Sequence, residues 1–328
     1  EPEKRVTMYL PMKVGSILET EEERGLAHFL EHMNFNGLKH FPKNELVDYL
    51  QKAGVRFGSD LNAYTSFNET VYQLPIPSDD PELLKNGLQV MRDWAQDAML
   101  QSDEIDKERG IIMEEMRGGR GAGQRIQDQM LPVLFNGSLY SERLPIGTEK
   151  VVMGFDHKLI RDFKDRWYRP DLQSIIIVGD IDPKEMEKEV VRLFSDMKVV
   201  KKPVARKDFG IDLLNKNQFK VITDPEMPQT IMRILIKHPK TEVRTVADYR
   251  TSLLEGVFNQ VINARLREIA QKPESPFLQG FVSIDNFMSL FHTMMLAAVP
   301  KPGQLEESTK TVFRELKRFE KFGITETE

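Results

Sequence analysis

The hydrophobic pattern of this chain changes period several times and then starts again. Val6 to Val14 alternates as a strand, with Pro11 marking an edge or a bulge. Behind the acidic run from Glu19 to Glu23, Leu26, Phe29, Leu30 and Met33 recur at helical spacing, and acidic charge suits a helix N-terminus. Gly37 is a natural stop, and a further helix is expected from Pro42 to Ala53 with Gly54 as its cap. Residues 62–75 are rich in aromatic and β-branched types and predict a strand with a turn near Asn68. Helices are expected at about 80–98, 103–117 and 124–135, the last two separated by the glycine-rich break 118–123. Ile175 to Val178 reads as a buried strand, and Asp182-Pro183 opens another helix.

A lysine-rich, irregular stretch at 201–217 interrupts this pattern, which then resumes. Strands are expected at 218–223 and 229–237, a helix at 244–270, strands at 277–284 and 288–298, and a helix at 303–321. The fold class is therefore α+β, with two related α/β-sandwich units, each an antiparallel-rich mixed sheet packed by helices. The expected boundaries are a first domain at 1–200, a linker at 201–217, and a second, incomplete domain of the same plan at 218–328. A length of 328 residues agrees with two domains of ~150 residues each. The chain starts Glu1-Pro2-Glu3-Lys4, with neither Met nor a signal peptide, and stops just after a helical pattern, so both ends read as cut.

Cysteine is absent, which excludes disulfides, thiolate metal sites and cysteine nucleophiles but does not fix a compartment. Lys plus Arg is 46 and Asp plus Glu is 51, a net charge of −5, which argues against nucleic acid as the main partner. No apolar stretch approaches the ~18 residues of a membrane span.

Only six histidines occur, and two of them fall in His28-Phe29-Leu30-Glu31-His32 within an expected helix. Residues four apart share a helical face, so both imidazoles reach one metal ion. Glu31 borders that face and can touch a water on the metal without ligating it. This His-x-x-Glu-His order is the inverse of the common zinc-protease pattern. A catalytic zinc needs a third protein ligand and an open position. Glu108 and Glu115, two turns apart on one face of a downstream helix, both qualify, whereas Glu114 is rotated toward solvent. The plainer reading of such an acidic helix is a solvated face. No Gly-x-Ser-x-Gly elbow offers a serine alternative.

Gly25 to Met33 around the histidine motif, Asn62-Ala63-Tyr64-Thr65, and Glu108 with Glu114-Glu115 together resemble the pitrilysin-type inverzincin metallopeptidases, the family of insulysin and the mitochondrial processing peptidase. The likeness is to large bacterial members. It covers about residues 5–200 by ordered motifs and the second unit by element plan, so the chain is expected to be an N-terminal fragment. The resemblance implies one Zn2+ per chain, bound by His28, His32 and Glu115, with Glu108 supporting the ligands and Glu31 as the general base activating the zinc-bound water. It implies a zinc endopeptidase or oligopeptidase for unfolded peptides, docked on an edge strand through Asn62, Ala63 and Tyr64. Phe35 matches an aromatic wall near the substrate, with core packing as the competing role. The resemblance also implies that a C-terminal half or partner subunit completes a clamshell, so this fragment alone is expected to be weakly active or inactive. The alternative is a non-catalytic peptide-binding or scaffold subunit of the same fold. Exported relatives suggest the periplasm.

Overall fold

A computed structural model describes residues 3–43, 45, 62–288 and 290–328. The helix expected from Pro42 to Ala53 lies outside the described residues. The chain divides into two compact units, Glu1–Gly121 with Leu139–Phe209, and Ala122–Ser138 with Gly210–Glu328.

The first unit is built on a four-stranded sheet of order β2-β3-β1-β4, formed by β1 (Arg5–Met12), β2 (Asn62–Thr65), β3 (Thr70–Pro77) and β4 (Ile176–Gly179). Each pairing is antiparallel. Expected as a buried strand, β4 instead leaves Ile176 and Val178 exposed, because it is the end strand of this sheet among the described residues. The alternation in β1 buries Val6, Met8, Leu10 and Met12, and β3 answers with Tyr72, Leu74 and Ile76 in register. The helix Pro81–Gln96 packs on these side chains through Leu88, Met91 and Trp94. Its N-cap, Asp80, accepts from the backbone N–H groups of Glu82 and Leu83. Two helices not assigned from the sequence, Glu149–Gly154 and His157–Trp167, start at Thr148 and Asp156, whose side chains accept from the first-turn N–H groups.

The motif helix, Leu26–Met33, buries Leu26, Phe29, Leu30 and Met33 and leaves His28 and His32 half-buried. Its first turn is held by Glu19, whose carboxyl group accepts from Gly25 N–H at 2.9 Å and Ala27 N–H at 2.8 Å. Gly25 enters the helix at φ +105, and Gly147 at φ +73 lies against it. A Cβ on Gly147 would fall 2.4 Å from Gly25 Cα, so only glycine lets the 144–148 turn meet the helix start.

The second unit has a three-stranded antiparallel sheet of order β5-β7-β6, from β5 (Met232–His238), β6 (Phe277–Phe287) and β7 (Phe291–Pro300). The helices Val246–Ala270 and Leu305–Phe322 supply Ile262, Leu266 and Val312 to a core shared with Phe277, Val282, Leu296 and Ala298. The helix Ala122–Leu134 groups with this unit, although the sequence boundaries assign it to the first. Lys237 Nζ caps its end, donating to Val133 O at 3.2 Å and Leu134 O at 2.6 Å. On the outer edge of β6, Asn259 and Asn263 each make two side-chain hydrogen bonds to the backbone of the strand. Asn259 pairs with the N–H and C=O of Ile284, and Asn263 with those of Val282.

The strand expected at 218–223 is not formed. Phe219 and Val221 are exposed, and among the described residues no strand edge receives their backbone, so β propensity alone does not make them a strand. No helix among the described residues is long and apolar enough to cross a membrane.

Candidate metal centre

The helix Leu26–Met33 presents His28 and His32 on one face, their ring centroids 4.6 Å apart. The helix Ser102–Gly118 lies across from it and brings in Glu115. Its carboxylate Oε2 is 3.7 Å from His28 Nε2 and 3.6 Å from His32 Nε2. Three donors lie within 4.8 Å of one another, from two histidines and one carboxylate. This set matches a catalytic zinc site with an open fourth position.

The second helix is held at its middle by Arg109, which donates to the carbonyls of Val152 and Phe155 and stacks over the Phe155 ring. One residue earlier, Glu108 is buried and accepts from His32 Nδ1 at 2.7 Å. The Asn36 amide donates to the other Glu108 oxygen. Both Glu108 oxygens are thus engaged. A carboxylate behind a ligating imidazole fixes its tautomer and aims the other nitrogen. Glu114, by contrast, points to solvent and pairs with Arg117.

The electrostatics follow from burial. Burial pushes His28 down to about 3, with the charge of His32 adding, so His28 is a neutral imidazole. Burial also works against a charged His32, but the Glu108 hydrogen bond and the charges of Glu108, Glu31 and Glu115 outweigh it and raise His32. Glu31 is raised, chiefly by burial, against the Thr65 hydrogen bond and His32. Behind Glu31, Tyr72 and Tyr168 are buried with their hydroxyls 2.9 Å apart, and both are raised, first by burial.

A cleft of about 420 Å3 opens over these groups. It is lined by His28, Glu31, His32 and Glu115, by Ala63, Tyr64 and Thr65 of β2, and by Pro145 and Ile146. Phe35 and Asn62 are not part of this lining. Phe35 packs against Trp94 and Tyr72, at ring-centroid distances of 5.4 and 6.3 Å. Tyr64 is half exposed and donates to Glu69 at 3.0 Å.

Among the described residues, β2 is the outermost strand of its sheet. Ser66 N–H donates to Glu69 O at 2.8 Å and closes the hairpin, with Thr65 opposite Thr70 and Ala63 opposite Tyr72. The alternation of an antiparallel ladder then turns the backbone groups of Ala63 and Thr65 away from β3. Among the described residues no strand lies on that side.

Sequence reasoning missed Thr65, Asn36, Pro145 and Ile146 as site residues. Thr65 stood inside the quoted Asn-Ala-Tyr-Thr segment, and its alternation with Ala63 was a usable signal. The others come from loops that carry no pattern.

Comparison with known proteins follows the same outline. The model described as insulinase (peptidase family M16) matches residues 1–131, and the model of the peptidase M16 inactive domain matches residues 154–328. A zinc protease PQQL-like protein of Arabidopsis thaliana is 33% identical over 87% of this chain and 30% of its own length. A probable zinc protease PqqL of Haemophilus influenzae is 33% identical over 84% of this chain and 30% of its own length. The crystal structure of the periplasmic protease PqqL from Escherichia coli superposes with a TM-score of 0.87 and 28% identity, covering 99% of this chain and 36% of that one. The chain thus spans about 30% of the length of the curated relatives it matches.

Proposed function

The chain belongs to the insulinase-type peptidase family M16, and from that membership we propose that it carries the catalytic half-site of a zinc peptidase acting on extended peptides. The observation that carries this reading is the meeting of His28, His32 and Glu115 from two helices, with Glu31 in the same cleft. Two imidazoles and one carboxylate fit zinc, one ion per chain, and the hydrogen bond from His32 to Glu108 turns the free His32 nitrogen toward the shared point. A bound zinc supplies Lewis acidity toward a water and toward the scissile carbonyl.

The remaining steps belong to the side chains. Glu31, raised by burial, accepts the proton of the attacking water and returns it to the leaving amine. The backbone of Ala63 and Thr65 takes the peptide as an added strand, which favours unfolded chains over folded proteins. Pro145 and Ile146 supply an apolar wall to the same cleft.

The relatives are about three times longer than this chain, so a further half, covalent or separate, is needed to close over the peptide. Turnover by the chain alone is accordingly slow. A periplasmic setting rests on the likeness to the E. coli periplasmic protease. Residues 154–328 are matched by the inactive-domain model, which supports a scaffold role for that portion.

The test is hydrolysis of a quenched peptide by the zinc-loaded chain and by Glu31→Gln, followed over hours, with zinc content measured alongside. The expected result is zinc near one per chain in both and at least ~100-fold slower cleavage in the variant. Full activity in Glu31→Gln sinks the assignment of the base. A parent chain that binds zinc but never cleaves, even with a complementary half added, moves the reading to the scaffold alternative.

A further inference from the structure

We propose that Thr65 is a positioning residue for peptide hydrolysis: its hydroxyl holds Glu31 while its backbone receives the substrate strand, so that one residue aligns both. The proposal deepens the reading above and rests on Glu31 being the base.

Thr65 Oγ1 donates to Glu31 Oε2 at 2.6 Å, and no other hydrogen bond to this carboxyl group occurs among the described residues. The direction of the bond is fixed by the next hydroxyl along. Thr70 Oγ1 lies 3.4 Å from Thr65 Oγ1, but its proton is committed to Val14 O at 2.9 Å. The Thr65 proton is therefore left for Glu31. Only one Glu31 oxygen is held, and the side chain lines the cleft beside His28 and His32, so the other oxygen is left to meet the substrate.

The same residue also belongs to the substrate-facing strand. Thr65 ends β2 in register with Thr70, and ladder alternation turns its N–H and C=O to the side away from β3. A peptide adding to that edge bonds the same residue whose side chain fixes Glu31. Docking of the peptide main chain and alignment of the base are thereby joined through about one residue's length of backbone. A mispositioned base costs rate far more than binding, because only the reacting geometry changes.

The experiment compares the zinc-loaded parent chain with Thr65→Val, which keeps shape and backbone, and Thr65→Ser, which keeps the hydroxyl. Zinc content, kcat, KM and the infrared carboxyl band of Glu31 are measured, the band being identified by its loss in Glu31→Gln. Thr65→Val is expected to keep one zinc and a KM within about twofold while kcat falls roughly 100-fold. Its Glu31 band is expected to shift, and Thr65→Ser is expected to restore both kcat and band. An unchanged kcat in Thr65→Val overturns the proposal, as does a raised KM with kcat intact, because the strand alone would then matter. If the parent cleaves nothing even with a complementary half added, the peptidase reading fails on its own. The infrared band then decides Thr65: a shift in Val reversed in Ser supports the clamp, and an unmoved band overturns it.

Discussion

The His32 ring is shared between two glutamates, with Glu108 accepting from Nδ1 at 2.7 Å and Glu115 lying 3.6 Å from Nε2. The two acids are seven residues apart on one helix, yet their surroundings differ. Glu108 is buried and spends both oxygens on His32 and Asn36, whereas Glu115 is half exposed and faces both imidazoles. The first arrangement suits a group that orients a ligand, and the second suits a ligand.

Zinc titration should separate these roles. Glu115→Gln removes a charged donor and is expected to weaken zinc binding by more than ~100-fold. Glu108→Gln leaves the ligand count intact, and loss of an orienting carboxylate costs roughly 10–100-fold. Competition with a chelator of known affinity reads both values. Weaker binding in Glu108→Gln than in Glu115→Gln would exchange the two assignments.

The pairing of His28 with His32 was legible in the sequence because four residues make one helical turn, a rule that needs no tertiary information. Choosing between Glu108 and Glu115 required the family resemblance, since helical periodicity puts both on one face. Asn36 and Ile146 were invisible, because nothing in a loop's residue types says which group it will meet. The order of strands and helices was also readable from period changes, with β1, β3 and the helix Val246–Ala270 near their expected limits. The strand expected at 218–223 failed for the complementary reason: a β-rich segment becomes a strand only where a partner edge accepts its backbone. The helix Ala122–Leu134 was correctly expected, but it groups with the second unit through residues about 100 positions away in sequence, Lys237 and Arg233 among them.

Glu19 makes a second prediction, about stability and pH. Its carboxyl group, buried at the start of the motif helix, is pushed up to about 8 by burial, against two backbone N–H donors and Arg143. The folded chain therefore holds a proton that the unfolded chain, with an ordinary value of 4.5, has released. Stability from this group is full below 4.5 and declines as pH rises through about 8. In chelator, urea unfolding of the parent is expected to lose on the order of a few kcal/mol between pH 5 and 8 relative to Glu19→Gln, which cannot titrate. Parallel pH profiles for the two proteins would show that Glu19 is ionised throughout. Glu19→Ala should cost about 1–3 kcal/mol at low pH, because the Gly25 and Ala27 N–H groups lose their acceptor.

The two sheets treat their open edges in opposite ways, and this leads to the last prediction. Among the described residues, no strand pairs with the outer backbone groups of Ala63 and Thr65 at the β2 edge, which lines the cleft. On β6, the carboxamides of Asn259 and Asn263, one helical turn apart, occupy the N–H and C=O of Ile284 and Val282 at 2.6–3.0 Å. Each side-chain amide presents one N–H and its carbonyl oxygen to the strand, as a backbone peptide does, so the pair stands in for a neighbouring strand. A free edge with such groups exposed is a template for pairing with another chain. Replacing both residues by alanine is expected to destabilise the second unit by roughly 2–4 kcal/mol, since four backbone groups lose partners at about 1 kcal/mol each. It is also expected to promote self-association, read by sedentimentation velocity at rising concentration, while zinc binding in the first unit stays unchanged. Loss of stability without self-association would mean that the asparagines serve only to dock the helix. An unaltered midpoint in denaturant would mean that water replaces them at no cost.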